Sequence, residues 1–183
     1  YRLWLETALE AHELFGDVAG FFDAEQFRLL SGEDTATWSA DRIEKFLTFC
    51  ELGEEKQLED RVTQALRNQL ADASVPGELK LRLRRLLVKA LERTPERAGE
   101  TEQQLELLAK EDPSRAGEYD LRRALLYHNL QRTDLAGEAL ENINLTAVDD
   151  VKLLKAAYLV FVEYGMPDAA RRCLEKVTER EPS

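Results

Sequence analysis

Apolar residues recur at three- and four-residue spacing through almost the whole chain, as in Leu83, Leu86, Leu87, Ala90 and Leu91 or Leu121, Ala124 and Leu125. An α-helix returns every third or fourth side chain to the same face, so this period draws one apolar stripe along each of a series of helices. No segment alternates apolar and polar residues with β-branched enrichment, so no sheet is expected. The stripes break at Phe15-Gly16-Asp17, Ser31 to Thr35, Gly53, Ser74 to Gly77, Thr94-Pro95, Asp112-Pro113, Thr133-Asp134, Thr146 to Asp149 and Gly165 to Pro167. These breaks predict an all-α chain of about ten helices.

The breaks carry their own chemistry. Thr94 and Asp112 each precede a proline, which predicts a side-chain oxygen capping the helix and Pro filling a first-turn position whose amide would otherwise be unpaired. Gly53 and Gly165 suit the left-handed residue that closes many helices. Connections this short force consecutive helices back on each other as antiparallel hairpins.

A repeat underlies the series. Residues 34 apart pair Leu125 with Leu159, Tyr127 with Phe161, Asp134 with Asp168, Ala136 with Ala170, Leu140 with Leu174, Glu141 with Glu175 and Ile143 with Val177. Leu87, Ala90 and Leu91 fall 34 before Leu121, Ala124 and Leu125, and Leu105 and Leu108 fall 35 before Leu140 and Ile143. One extra loop residue accounts for the shift.

Thirty-four residues is the tetratricopeptide period, and the segment Val151 to Pro182 resembles that family. Leu154, Ala157, Phe161, Gly165, Ala170, Leu174, Val177 and Pro182 stand at its spaced positions, while Tyr158 departs from it where a small residue is preferred. Trp4, Ala8, Ala11, Gly20, Ala24 and Phe27, then Phe49, Gly53, Leu58, Val62 and Ala65, follow the spacing more loosely. The resemblance implies one array over 1–183, with degenerate hairpins at 1–33 and 36–73 and clearer repeats at 78–113, 114–148 and 149–182. It implies a right-handed α-α superhelix, a TPR-like solenoid. Ala136 and Ala170 would let paired helices approach closely, and Tyr127, Leu140, Phe161 and Leu174 would fill the space between successive hairpins.

The resemblance also implies an inner groove lined by the first helix of each pair. Carried onto this chain, its positions are Arg84, Leu87 and Leu91, then Glu118, Leu121, Leu125, His128 and Asn129, then Lys152, Lys155, Leu159, Val162 and Glu163. Leu87, Leu121 and Leu125 read equally well as core. The family members that clamp a C-terminal carboxylate use an Asn where this chain has Leu125 and Leu159, so such a clamp is not expected.

Charge sharpens the picture. The chain is 44% hydrophobic and 33% charged, with a net charge of -11. That balance suits an ordered helical protein and disfavours general binding to nucleic acid or an anionic membrane. Residues 1 to 60 hold 15 Asp and Glu against 5 Lys and Arg, whereas 78 to 97 hold seven basic residues against three acidic ones. The basic stretch, Lys80 to Arg97, reads as a docking stripe for an acidic partner or as a complement to the chain's own acidic third. It lacks the interleaved aromatics that would stack on RNA bases.

Candidate chemistry is sparse. His12 and His128 lie far apart without a closely spaced Cys or His, so no metal site is expected. Cys50 and Cys173 fall inside apolar stripes and read as buried free thiols. There is no nucleophile elbow, phosphate-cradling glycine loop or dinucleotide fingerprint, and acidic pairs such as Glu54-Glu55 and Asp149-Asp150 read as solvated or first-turn charges. The expectation is a binding protein without catalysis or cofactor.

The chain opens at Tyr1, has the single methionine Met166 and contains 17 Arg against 8 Lys. These features read as an excised segment of a bacterial protein. It is similar to the periplasmic tetratricopeptide segments of outer-membrane exopolysaccharide exporters of the Pel and cellulose systems. That likeness implies a periplasmic scaffold that recruits modifying enzymes, its acidic third attracting a partly cationic polysaccharide or a basic protein. The alternative is a cytoplasmic regulator or assembly factor that binds a peptide. Neither reading has this segment inserted in a membrane.

Overall fold

The computed structural model describes residues 38–41, 43, 44, 47 and 56–181. The chain divides into two compact units, Tyr1–Ala90 and Leu91–Ser183. All regular structure among the described residues is helical. Of the expected hairpins, 1–33 lies outside the described residues, as do His12 and Cys50.

In the first unit, α1 (Lys56–Ala71) and α2 (Gly77–Leu91) are separated by a turn in which the Asp72 carboxylate accepts from the amide and hydroxyl of Ser74. These bonds hold the Asp72 carboxyl below its usual range. The apolar stripes bury as their spacing predicts: Val62, Ala65 and Leu66 on α1, and Leu83, Leu86, Leu87 and Ala90 on α2. Each fully buried aliphatic side chain contributes about 1.5–3 kcal/mol. Arg82 of the basic stretch reaches Asp41 at 2.6 Å and Glu44 at 2.5 Å, so this residue complements the acidic third.

The second unit opens with a 3-10 turn, Pro95–Arg97, and α3 (Ala98–Glu111), followed by a second 3-10 turn, Pro113–Arg115, and α4 (Ala116–Asn129). Then come α5 (Thr133–Glu141), a 3-10 turn at Leu145–Ala147, α6 (Val151–Glu163) and α7 (Pro167–Arg180). The prolines correct one expectation. Thr94 and Asp112 make no capping bond, and Pro95 and Pro113 each begin a 3-10 turn that delays the α-helix to Ala98 and Ala116. The Asp112 carboxylate instead accepts from the Ser114 and Tyr119 hydroxyls. Asp150 is a true cap of α6, accepting from the Leu153 amide at 3.0 Å.

Three-residue connections fold α5 back against α4 and α7 against α6, and α6 in turn packs on α4. Both hairpins turn in the same way. Gln131 (φ 58) and Gly165 (φ 67), 34 residues apart, are left-handed. Around them Arg132 N–H donates to Tyr127 O and Gln131 N–H to His128 O, while Met166 N–H donates to Phe161 O and Gly165 N–H to Val162 O. Each set is a Schellman closure, in which the left-handed residue satisfies two carbonyls left over by the helix end. Glycine adopts that conformation freely, whereas Gln131 holds it at a cost of about 1 kcal/mol.

The core of this unit joins the two hairpins. Leu121 and Ala124 of α4, Leu140 of α5, Leu153, Leu154, Ala157, Val160 and Phe161 of α6, and Ala170 and Cys173 of α7 form one buried cluster. Ala136 and Ala170 are buried, as expected of residues that permit close helix approach. Tyr127, Leu140 and Phe161 are buried too, but Leu174 is 44% exposed. Among the described residues it stands more open than its equivalent Leu140, which is 3% exposed. Cys173 is a free, fully buried thiol, and burial pushes its pKa up to about 11 against the pull of Arg172 and Lys176.

Candidate partner-binding face

First-helix positions divide into buried and open sets. Leu87 and Leu91 are buried, Leu121 is completely so, and Glu118 is only 4% exposed. These four residues correct the groove expectation: a side chain with no accessible surface cannot meet a partner. Leu125 is half-buried and packs on the core cluster. Arg84 and His128 are half-buried, whereas Asn129, Lys152, Lys155, Leu159, Val162 and Glu163 are exposed.

The open residues of α6 form one stripe. Positions 152, 155, 159, 162 and 163 recur at helical spacing, opposite the core face of Leu153, Leu154, Ala157, Val160 and Phe161. The stripe is apolar at its centre, with Leu159 66% and Val162 54% exposed. Charged residues bracket it. Lys155 Nζ donates to Glu181 at 2.6 Å, Glu163 lies 3.8 Å from His128 Nε2, and Lys152 has no ion-pair partner among the described residues. The His128 ring also meets Tyr164 edge-on, with centroids 5.8 Å apart.

A charge cluster centres on Arg122 of α4. Its guanidinium reaches Glu92 at 3.0 Å, Glu118 at 3.4 Å and Asp150 at 2.9 Å, while Arg115 adds a second cation to Glu118 at 2.6 Å. Arg122 thus ties α4 both to the residue after α2 and to the cap of α6. Burial pushes Glu92 above the usual carboxylate range, opposed by Arg122. Burial disfavours the Arg122 cation, but Glu92, Glu118 and Asp150 more than offset that and raise its pKa. None of this was read from the sequence except the acidic pair containing Asp150. The four-residue spacing of Glu118 and Arg122 was a visible signal; the partners 28 and 30 residues away were not.

A second polar group joins α3 to α4. Tyr127 donates its hydroxyl to Glu102, and Arg123 lies between Glu106 and Asp120. Burial first, then the bond to Glu102, pushes Tyr127 up to about 12. An unfolded tyrosine ionises near pH 10, so the unfolded chain loses its proton first. Stability from this group is therefore present below about pH 10 and lost as pH rises toward 12. Difference absorbance of tyrosinate should show one tyrosine titrating late in the native chain, and Tyr127→Phe should remove that late step.

Clefts accompany the hairpins. One of about 410 Å³ lies between α5 and the start of α7, lined by Leu140, Phe161, Gly165, Ala169 and Arg172 among others. Another of about 340 Å³ lies between α4 and α5. Among the described residues no group of three or more His, Cys, Asp or Glu is placed to hold a metal ion, and no helix is long and apolar enough to cross a membrane. No family model, curated protein or solved structure matches the chain.

Proposed function

We propose that this chain is a non-catalytic scaffold of tandem helical hairpins, of the tetratricopeptide type, that holds a protein partner. The carrying observation is the repetition of one helix-ending bond pattern 34 residues apart, at Gln131 and Gly165. Equal closures give these two successive hairpins equal geometry, the condition under which tandem hairpins stack into a repeat array. The open α6 stripe, apolar at its centre and charged at its ends, has the composition of a protein contact surface. Within this class, the acidic excess in residues 1 to 60 suits a basic protein or a partly cationic polymer, as in exopolysaccharide export.

The test is capture with matched variants. Immobilised full chain and its Lys152→Glu/Asn129→Lys variant are exposed to the same cell extract, with circular dichroism confirming equal folding. A partner retained by the parent and lost by the variant supports the reading. Equal retention by both, or chemical turnover of a bound molecule, overturns it.

A further inference from the structure

Two clefts share α5 as a wall, the one of about 410 Å³ reaching the start of α7 and the one of about 340 Å³ reaching α4. They are partly one feature repeated. Tyr127, Leu135 and Glu138 line the smaller cleft, and the residues 34 later, Phe161, Ala169 and Arg172, line the larger. Both linings include apolar side chains: buried Leu140 and Phe161 with half-buried Met166 in the larger, and half-buried Ala139 with Leu135, 44% exposed, in the smaller. Each lining also holds one acid in excess, Asp120 and Glu138 against Arg123 in the smaller and Glu141 and Asp168 against Arg172 in the larger.

The shared wall is charged against its own stability. The nine residues of α5 include Asp134, Glu138 and Glu141 and no base, and none of these three exposed acids has an ion-pair partner among the described residues. Glu138 stands four residues after Asp134 and three before Glu141, the spacing at which like charges repel along one helix face. Glu141 also occupies the last turn, where the helix dipole disfavours an acid. By contrast, Glu118 and Asp120 of α4 and Asp168 and Glu175 of α7 each meet an arginine of their own helix. Local rules of charge placement are broken where a surface serves something other than stability.

We propose that α5 and its two clefts bind an extended segment of a partner protein in which basic and apolar residues alternate. Successive side chains of an extended segment point in opposite directions, so its apolar residues enter the clefts while its lysines or arginines lie along the rim and neutralise Glu138 and Glu141. Charge selects this occupant over the chain's own first third, where residues 1 to 60 hold 15 acids against 5 bases, and over a second copy with its net charge of -11. This rests on the reading of the chain as a partner-binding array and assigns the partner's chemistry, on residues separate from the α6 stripe.

The probe is a fluorescein-labelled peptide of alternating lysine and leucine, titrated against the full chain and followed by anisotropy. Saturable binding is expected, weakened about tenfold or more by Glu138→Lys/Glu141→Lys, which sets like charges against the peptide. Because that double variant also relieves the repulsion along α5, it should melt no lower than the parent. Glu175→Lys/Glu179→Lys makes the same change of net charge on α7 and should bind as the parent does. Absence of saturation overturns the proposal. So does equal weakening by the two double variants, which would be general attraction to an acidic chain, and so does equal binding of a peptide of alternating lysine and serine, which would leave the clefts unused. Failure of the peptide while the Lys152/Asn129 variant still loses a partner that the parent holds removes this inference alone.

Discussion

Replacing Gly117 by alanine should destabilise the second unit by about 3 kcal/mol, at the upper end of what overpacking costs. Gly117 is buried in the first turn of α4, and a Cβ there runs into the carbonyl oxygen of Asn144 and lies 3.3 Å from Ala147 Cβ. The obstacle is backbone of the 3-10 turn that links the two hairpins, so no rotamer change relieves it. Accommodation would push Leu145–Ala147 away from α4 and disturb Leu145 and Val148, both buried. Chemical denaturation monitored by circular dichroism measures the loss. Gly99→Ala is the control: it lies in the corresponding turn of α3, where an added Cβ meets nothing within 4 Å, and its change should be small and of either sign. Equal losses for both would show that the close approach to Asn144 does not constrain the fold.

Arg122→Ala should cost a similar amount. Breaking a buried ion pair by removing one partner typically costs about 3–5 kcal/mol, because the remaining charge is left desolvated. The low end applies here, since the Arg122 side chain keeps 24% exposure and Glu118 retains Arg115. Arg122→Lys should recover only part of the loss: a single ammonium cannot match the fork that reaches three carboxylates. The deficit should also depend on pH. Without Arg122, Glu92 loses the charge that opposes its upward displacement by burial, so the folded chain holds its proton to higher pH than the unfolded chain does. Stability then rises as pH falls toward the unfolded carboxylate range. The difference between variant and parent should be smaller at pH 5 than at pH 7; a pH-independent difference would remove the electrostatic explanation.

The helices were legible because their burial is local and periodic. Leu153, Leu154, Ala157, Val160 and Phe161 lie on one face of α6 by spacing alone, and the same face is buried. Gly165 announced its left-handed turn; Gln131 did not, since the backbone bonds that close the helix end hold it in a conformation its side chain disfavours. The prolines marked the right breaks but the wrong turn type, because a proline fixes φ without choosing between α and 3-10 hydrogen bonding. The groove positions were the least legible. Glu118 reads as a surface acid, and only Arg115 and Arg122 closing over it make it internal. Leu140 and Leu174 are the same residue at equivalent positions, yet one is covered and the other open. That difference belongs to the neighbours and not to the side chain.

The ammonium of Lys176 donates to the carbonyls of both Leu145 and Thr146, each at 2.9 Å. A cation on the final helix therefore grips the main chain of the segment that enters the same hairpin about thirty residues earlier, closing a loop around α6. Loops of that length are cheap to close, the entropic penalty growing only with the logarithm of length. Assembly of this part of the chain can proceed by short-range steps, each hairpin latching its own entrance before a distant region has to be found.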